Sequence, residues 1–209
     1  MKYIQFTYVD FATRIPVTVE PALVGPDTPT GVSPVFILES TFGPAPVIYG
    51  TSEDDYSPEE WMVEVTEEEF YTAYKAELKT RARNKRVSIE QGGVELTSGI
   101  VIQTTIEDQN RVGNLVSALK SDTSLTSVDF EYSPAQWVTF TRTDALNMGK
   151  VVVNHVQGSF SWCKGVHERI DLIATLDEAS AINDEIQKLG QKAVNIVATE
   201  PVGTETPVA

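Results

Sequence analysis

The sequence predicts an α+β fold: a small N-terminal β module, a connecting helix, and a β-hairpin/helix domain closed by a C-terminal helical hairpin. Two observations predict this order. Short runs of alternating apolar and polar residues fill the first 65 residues, which is the period of half-buried strands. Thr–Glu pairs three residues apart then stand before stretches of helical period at three points in the chain.

Composition and periodicity divide the chain into four parts. We expect a β module over residues 1–65, a connecting helix over 66–85, an α+β domain over 86–197 and a tail over 198–209. The tail is rich in Thr, Glu, Pro and Gly, a composition typical of segments without regular structure.

Five short strands are predicted in the β module, and a Pro/Gly-rich stretch over Pro21–Pro34 interrupts them. The strand with Pro46 is expected at a sheet edge, because proline cannot donate to a ladder. So small a module has a thin core and is expected to lean on another surface. The predicted strands are Tyr3–Val9, Val17–Val19, Val35–Leu38, Pro46–Gly50 and Trp61–Val65.

A capping box of Thr66 and Glu69 predicts the start of the connecting helix. Its apolar positions share one face and fade after Leu78; they are Phe70, Ala73, Tyr74 and Leu78. A stripe this thin is typical of a spacer or of one strand of an oligomeric coiled coil. An ordinary connecting helix is the equally open alternative.

The stretch Arg86–Thr123 is interpreted as strand, tight turn, strand and helix. Val87 and Ile89 alternate with polar residues, Gly92-Gly93 supplies the positive φ of a two-residue turn, and the second strand runs to Ile102. A capping box of Thr104 and Glu107 then predicts a helix.

A hairpin follows over Ser127–Thr141, with Val128, Phe130 and Tyr132 on one face. Either Trp137, Thr139 and Thr141 or Val138 and Phe140 share that face.

Thr143 is expected to cap a long helix, including the Val151–Val153 run, and a third box of Thr175 and Glu178 begins the last helix. Apolar residues of the long helix recur in steps of three and four, which predicts a buried seam with Phe160 as its anchor. The seam comprises Leu146, Gly149, Val153, Val156, Phe160, Cys163, His167, Ile170 and Ala174.

Charge is strongly negative and uneven. The net charge is −14, and residues 1–70 hold thirteen acidic and two basic residues. Such a surface repels phosphate backbones, so we expect no nucleic-acid partner. One basic run opposes this balance; it is Lys75, Lys79, Arg81, Arg83, Lys85 and Arg86. It is interpreted as a solvated helix face or, alternatively, as a docking patch for an acidic partner such as a neighbouring copy.

Residues able to carry chemistry are few. Cys163 and His167 lie four residues apart, and His155 is on the same predicted helix, but a zinc site needs four ligands, or three and a water. Glu53-Asp54-Asp55 lacks the spacing of a calcium loop, and no hydrolase or phosphate-binding motif occurs. We therefore expect no metal, no cofactor and no enzymatic activity, with a metal-dependent hydrolase using His155 and His167 as a distant alternative.

The segment from about Ala76 to Leu189 resembles a domain-of-unknown-function family common in tailed bacteriophages. Members of that family occur in tail-fibre and baseplate proteins or beside their genes. The residues that carry the resemblance are Arg83–Arg86, Glu90–Val94, Gly99–Ile102, Thr105–Arg111, Trp137–Phe140, Val153–Val156, Phe160 and Thr175–Asn183.

This resemblance implies a structural component of a bacteriophage tail, at the baseplate or the tail-fibre attachment, that acts by protein–protein adhesion within a virion. The alternative is a tail-fibre assembly chaperone that is absent from the virion. With one cysteine and no signal-peptide or transmembrane pattern, we expect assembly in the host cytoplasm, without a membrane partner.

Other tail, baseplate or fibre proteins are the expected partners, together with further copies of the chain. The candidate interface residues are aromatic or basic, since such side chains dominate interface energetics. They are Tyr3, Tyr8, Tyr49, Trp61, Lys79, Arg83 and Arg86.

Overall fold

The computed structural model describes residues 1–7, 32–38, 47–58 and 62–189. The chain divides into two compact units, Met1–Leu78 and Lys79–Ala209. Within the described residues the fold is α+β, as the sequence predicts, with antiparallel strands and four α-helices.

The strands and helices have the following bounds. The strands are β1 (Lys2–Thr7), β2 (Val32–Leu38), β3 (Val47–Ser52), β4 (Val63–Val65), β5 (Val94–Glu95), β6 (Val101–Ile102), β7 (Ser127–Ser133) and β8 (Gln136–Thr141). The helices are α1 (Glu67–Gln91), α2 (Ile106–Ser121), α3 (Arg142–Asp171) and α4 (Leu176–Lys188).

The first unit is an antiparallel sheet in the order β2-β3-β1-β4, covered by the start of α1. Aromatic rings join the two layers. Phe36 stacks on Tyr74 with 4.4 Å between centroids, and Tyr3 lies 4.6 Å from Phe70. Phe70 and Tyr74 of α1 pack on the sheet, and the compact unit extends to Leu78 within this helix.

Two of the predicted strands, Pro46–Gly50 and Val17–Val19, concern this sheet. The strand that follows Pro46 was predicted at an edge, but β3 lies between β2 and β1, so that prediction is wrong. The edge strands are β2 and β4, and in β2 Pro34 precedes a register shift, in keeping with the place of proline in sheets. The predicted strand Val17–Val19 falls outside the described residues.

The second unit packs two small hairpins, β5–β6 and β7–β8, against helices. Its core joins both hairpins to α2 and α3. Val138 and Phe140 face the core with Val128 and Phe130, which decides between the two alternatives for the β7–β8 hairpin. The buried members of the core are Val94, Ile102, Val112, Leu119, Phe130, Phe140, Ala145, Met148 and Val152.

The predicted strand over Val87–Glu90 is wrong, because α1 continues to Gln91. Gly93 does adopt positive φ, at 86°, but it follows a helix instead of turning a hairpin. Its N–H donates to the Thr104 hydroxyl over 2.9 Å. The apolar–polar alternation over Val87–Glu90 predicted a strand, but these residues continue α1. The chain just after this helix is stabilised by a residue distant in sequence, Thr104, which accepts the Gly93 N–H.

Two predicted helix caps are displaced. The N-cap of α2 is Thr105, whose hydroxyl accepts the N–H of Asp108, whereas Thr104 is buried. The N-cap of α3 is Thr141, not Thr143, and it accepts the N–H of Asp144. Each cap has the expected chemistry, one or two residues from the expected position. The boxes at Thr66 and Thr175 are confirmed.

The buried face of α3 matches the predicted seam only in part. Gly149, Cys163 and Ile170 of the seam are buried. Phe160 and Val153 are 47% and 59% exposed, so the expectation that Phe160 anchors the core is wrong. His155 and Ser159 are buried instead. The buried residues of α3 are Ala145, Met148, Gly149, Val152, His155, Ser159, Cys163, Val166 and Ile170.

Hydrogen bonds explain why polar side chains occupy this face. Nε2 of His155 lies 2.8 Å from the Ile89 carbonyl oxygen and donates to it, and the same carbonyl accepts the N–H of Gly92 over 3.2 Å at the end of α1. The Ser159 hydroxyl donates to the Val156 carbonyl over 2.7 Å. A satisfied polar group can be buried at little net cost.

The last helix returns along α3, which confirms the predicted helical hairpin. Arg169 and Glu185 form two hydrogen bonds of 2.6 and 2.7 Å between α3 and α4. Such a bidentate pair also fixes geometry, which a single surface ion pair does not.

Close approach of α2 and α3 depends on Gly149. A Cβ at this position would overlap the Val116 side chain, whereas a Cβ at Gly158 on the same helix would meet nothing within 4 Å. Val116 is β-branched and has few alternative rotamers, so it cannot swing away easily.

Gly149→Ala is therefore expected to destabilise the protein by about 1–3 kcal/mol, through overpacking between α2 and α3. Gly158→Ala is the matched control and should stabilise by about 0.5–1 kcal/mol, because alanine favours the helix and meets no neighbour. Urea unfolding of both variants measures the difference; equal stabilisation by both would contradict the close approach.

Acidification should destabilise the α3–α4 hairpin. The N–H groups of Ala174 and Thr175 lower the pKa of Glu178, and the Arg169 guanidinium lowers that of Glu185. Carboxyls with a lowered folded pKa contribute stability above their unfolded pKa, about 4.5, and lose it as the pH falls through the folded value.

The melting temperature should therefore fall as the pH is lowered from 5 towards 3, and less steeply in a Glu178→Gln/Glu185→Gln variant. Thermal melts across this range compare the two proteins. Parallel curves would show that these carboxylates do not contribute to the acid sensitivity.

Candidate docking groove between α2 and α3

An open groove of about 740 Å³ runs along the outer side of the α2–α3 pair. Its floor lies where Val116 meets Gly149, so the glycine that lets the helices approach also shapes the groove. The described lining residues are Gln109, Asn110, Val112, Gly113, Val116, Lys120, Thr143, Leu146, Asn147, Gly149, Lys150, Val152, Val153, Asn154, Val156 and Gln157.

The lining combines a valine-rich floor with amide side chains and two lysines. None of its described residues is acidic, although the chain holds thirty acidic residues. Lys120 and Lys150 form no ion pair within the described part of the chain. The groove is thus a locally basic, partly apolar surface on a strongly acidic protein, and it suits a ligand with apolar and acidic groups.

Part of the predicted seam on α3 is exposed. Val153 and Phe160, seven residues apart, belong to the seam and are largely exposed, whereas Leu146, seven residues before Val153, is partly buried against the core. Val153 lines the groove and Phe160 lies beyond it. The fold of this unit therefore buries some positions of the seam and leaves the apolar side chains of Val153 and Phe160 uncovered.

Two of the predicted interface residues, Arg83 and Arg86, line a smaller pocket between α1 and α3. The guanidinium of Arg86 lies 4.2 Å from the centre of the Phe160 ring and also pairs with Glu90. Arg83 is exposed and has no ion-pair partner within the described residues. The structure brings these arginines together with Phe160, which the sequence had assigned to the core.

Most of the remaining basic run bonds within the second unit. Lys79 pairs with Asp171 over 2.6 Å. Arg81 donates to Asn183 over 2.9 Å and Lys85 to the Gln187 carbonyl over 3.4 Å, which ties α1 to α4. Among the described residues, Arg83 alone of the predicted basic interface residues has no such tie. A role of Lys79, Arg83 and Arg86 in contacts with a partner stays a prediction.

The predicted aromatic interface residues of the first unit are partly covered. Burial is the main cause that raises the pKa of Tyr3 to about 12, and a hydrogen bond to Glu67 is a smaller one. Tyr49 stacks on Phe36 with centroids 4.8 Å apart. Tyr8 and Trp61 lie outside the described residues. A role of these tyrosines in contacts stays a prediction.

Cys163 and His167 are neighbours, as their spacing predicts. Sγ of Cys163 lies 3.6 Å from Nε2 of His167, and the same nitrogen lies 3.2 Å from the Lys79 carbonyl oxygen. Because a carbonyl only accepts, Nε2 carries the proton and faces the thiol as a donor, not as a base. In the described part of the chain, no three His, Cys, Asp or Glu side chains converge as metal ligands do.

Residues 73–187 match the family described as "Domain of unknown function (DUF4376)". The match covers more than half of the chain, so the protein belongs to this family. No curated protein and no solved structure shows significant similarity to the chain. Among the described residues, none of the helices has the length and apolar character needed to cross a membrane.

Sequence reasoning missed the groove, because its residues come from two helices whose pairing was not predicted. One signal was present. Gly149 is the smallest member of the predicted seam, and a glycine inside a long helix is often retained for a close approach. Its partner on α2, Val116, could not be chosen without the tertiary structure.

Phe160→Ala should reduce stability by less than about 1 kcal/mol, because the ring is half-exposed and the substitution leaves no internal cavity. Met148→Ala, its buried counterpart on α3, should cost about 2–5 kcal/mol. Chemical denaturation of both variants measures the two losses of stability. Equal losses, or a larger loss for Phe160→Ala, would contradict the placement of Met148 in the core and of Phe160 at the surface.

Proposed function

We propose that this protein is a structural component of a bacteriophage tail, at the baseplate or the tail-fibre attachment, and that it acts by adhesion to other tail proteins and not by catalysis. The single observation that carries the adhesive part is the α2–α3 groove, a partly apolar surface with unpaired lysines and no acidic lining among its described residues. Surfaces of this kind mark protein–protein contacts.

Side-chain composition supports adhesion further. Val153 lines the groove and is 59% exposed. Amide side chains of the lining can donate and accept hydrogen bonds without fixing one orientation, and the two lysines favour an acidic partner. Protein interfaces commonly combine apolar and polar side chains in this way.

The tail context rests on the resemblance carried by Arg83–Arg86, Glu90–Val94, Trp137–Phe140 and Val153–Val156. We place the protein in the virion, assembled in the host cytoplasm, with other tail, baseplate or fibre proteins as partners. A tail-fibre assembly chaperone is the second candidate, since a chaperone needs the same kind of exposed surface while its partner is incomplete.

Quantitative mass spectrometry of purified particles separates these candidates. A tail component should be present in a fixed copy number, and a chaperone should be abundant in the infected cell but missing from the particle. Absence from particles would overturn the component proposal.

Val153→Glu tests the surface in the same experiment. It places a negative charge inside the groove and should lower incorporation into particles at least tenfold. Ser161→Glu is the matched control: it adds the same charge at an exposed position of α3 outside the groove lining and should leave incorporation unchanged. Equal incorporation of both variants would show that the groove is not the adhesive surface.

A further inference from the structure

The outer face of the β7–β8 hairpin carries a large exposed aromatic residue. Trp137 is 63% exposed and lies directly opposite Glu131 on the neighbouring strand. Asp129 lies on the same face, opposite Thr139, whose hydroxyl donates to it over 2.6 Å. A tryptophan is the residue type that most often anchors an interface when it is left exposed on a rigid element.

The charges of this face oppose those of the groove. Asp129 and Glu131 form no ion pair within the described residues, and no basic residue occurs between Ser127 and Thr141. The Glu131 carboxylate accepts the N–H of Ala135 over 2.9 Å, and the one guanidinium recorded against the hairpin in the described part of the chain, that of Arg111, donates to the Glu131 main-chain carbonyl over 3.4 Å. The groove offers the unpaired Lys120 and Lys150 around Val153. An acidic face with an apolar anchor and a basic groove with an apolar floor are thus complementary surfaces on one chain.

Dimensions and placement also agree. Six or seven residues of strand extend about 20 Å, and the groove follows α3 from Thr143 to Gln157, about 21 Å along the helix axis. Asp129, Glu131 and Trp137 alternate along the strands with Phe130 and Phe140, which pack in the core, and none of the residues that line the groove belongs to the hairpin. The outer face of the hairpin and the groove are therefore separate surfaces, so one copy can offer both.

We propose that the α2–α3 groove binds the outer face of the β7–β8 hairpin of a second copy of this chain, with Trp137 seated over Val153 and with Asp129 and Glu131 facing Lys120 and Lys150. The inference rests on the proposed adhesive function and names its partner. Because the two surfaces differ, the contact is head-to-tail, and it generates a ring or an open filament.

Two variants that each break one side of the contact test this geometry with the full chain. Val153→Glu disables the groove and keeps the hairpin, whereas Trp137→Ala disables the hairpin and keeps the groove. Both residues are largely exposed, so both variants should fold, which circular dichroism verifies. Phe160→Ala, an exposed aromatic residue outside the groove, is the matched control.

Sedimentation velocity over a hundredfold concentration range is the measurement. The wild type and Phe160→Ala should form species larger than a dimer as the concentration rises, and each interface variant alone should stay monomeric. An equimolar mixture of the two variants should form a 1:1 dimer that grows no further, because only one intact groove and one intact hairpin face can meet.

Different outcomes separate this inference from the proposed function. If the wild type stays monomeric throughout, or if the mixture forms no dimer, the second-copy partner is overturned. If Val153→Glu still loses incorporation into particles in that case, the adhesive function stands and another tail protein fills the groove. If the mixture forms a dimer but particle incorporation is unaffected, the contact exists and the proposed function of the groove fails.

Discussion

The second unit depends on one helix, α3, against which all of its other helices and the β7–β8 hairpin pack. This position requires a buried face that is not uniformly apolar. Gly149 leaves room for α2, His155 and His167 donate to carbonyls of α1, and Val166 and Ile170 are buried farther along. Dense packing on several sides restricts every position of the helix, because a protein interior tolerates neither voids nor overlap.

Local signals in the sequence predicted much of the fold. The boxes at Thr66 and Thr175 are confirmed because a cap is satisfied within four residues and needs no distant partner. The end of α1 was mispredicted for the opposite reason. The Ile89 carbonyl accepts the N–H of the nearby Gly92 and also a hydrogen bond from His155, more than sixty residues away, and no local pattern records the distant bond.

The error in the phase of α3 has a related cause. Hydrophobic periodicity identifies apolar positions but does not say what covers them. The seam contains Gly149, Cys163 and Ile170, which are buried, but also Phe160, which is exposed while its neighbour Ser159 is buried. Ser159 can be buried at little cost because its hydroxyl donates to the Val156 carbonyl. The groove was out of reach for the same reason, since it requires knowing that Val116 meets Gly149.

Val153 and Phe160 leave apolar surface of α3 exposed to solvent. Exposed apolar surface on α3 stabilises nothing in the isolated chain, and it becomes favourable only when another surface covers it. At a net charge of −14, long-range repulsion between copies opposes association, so only a short-range contact with local charge complementarity can overcome it. The acid-free lining of the groove provides such a place. A single contact through this groove is expected to be weak. Copies held in a common assembly are at high effective concentration, so that several such contacts together give stable adhesion.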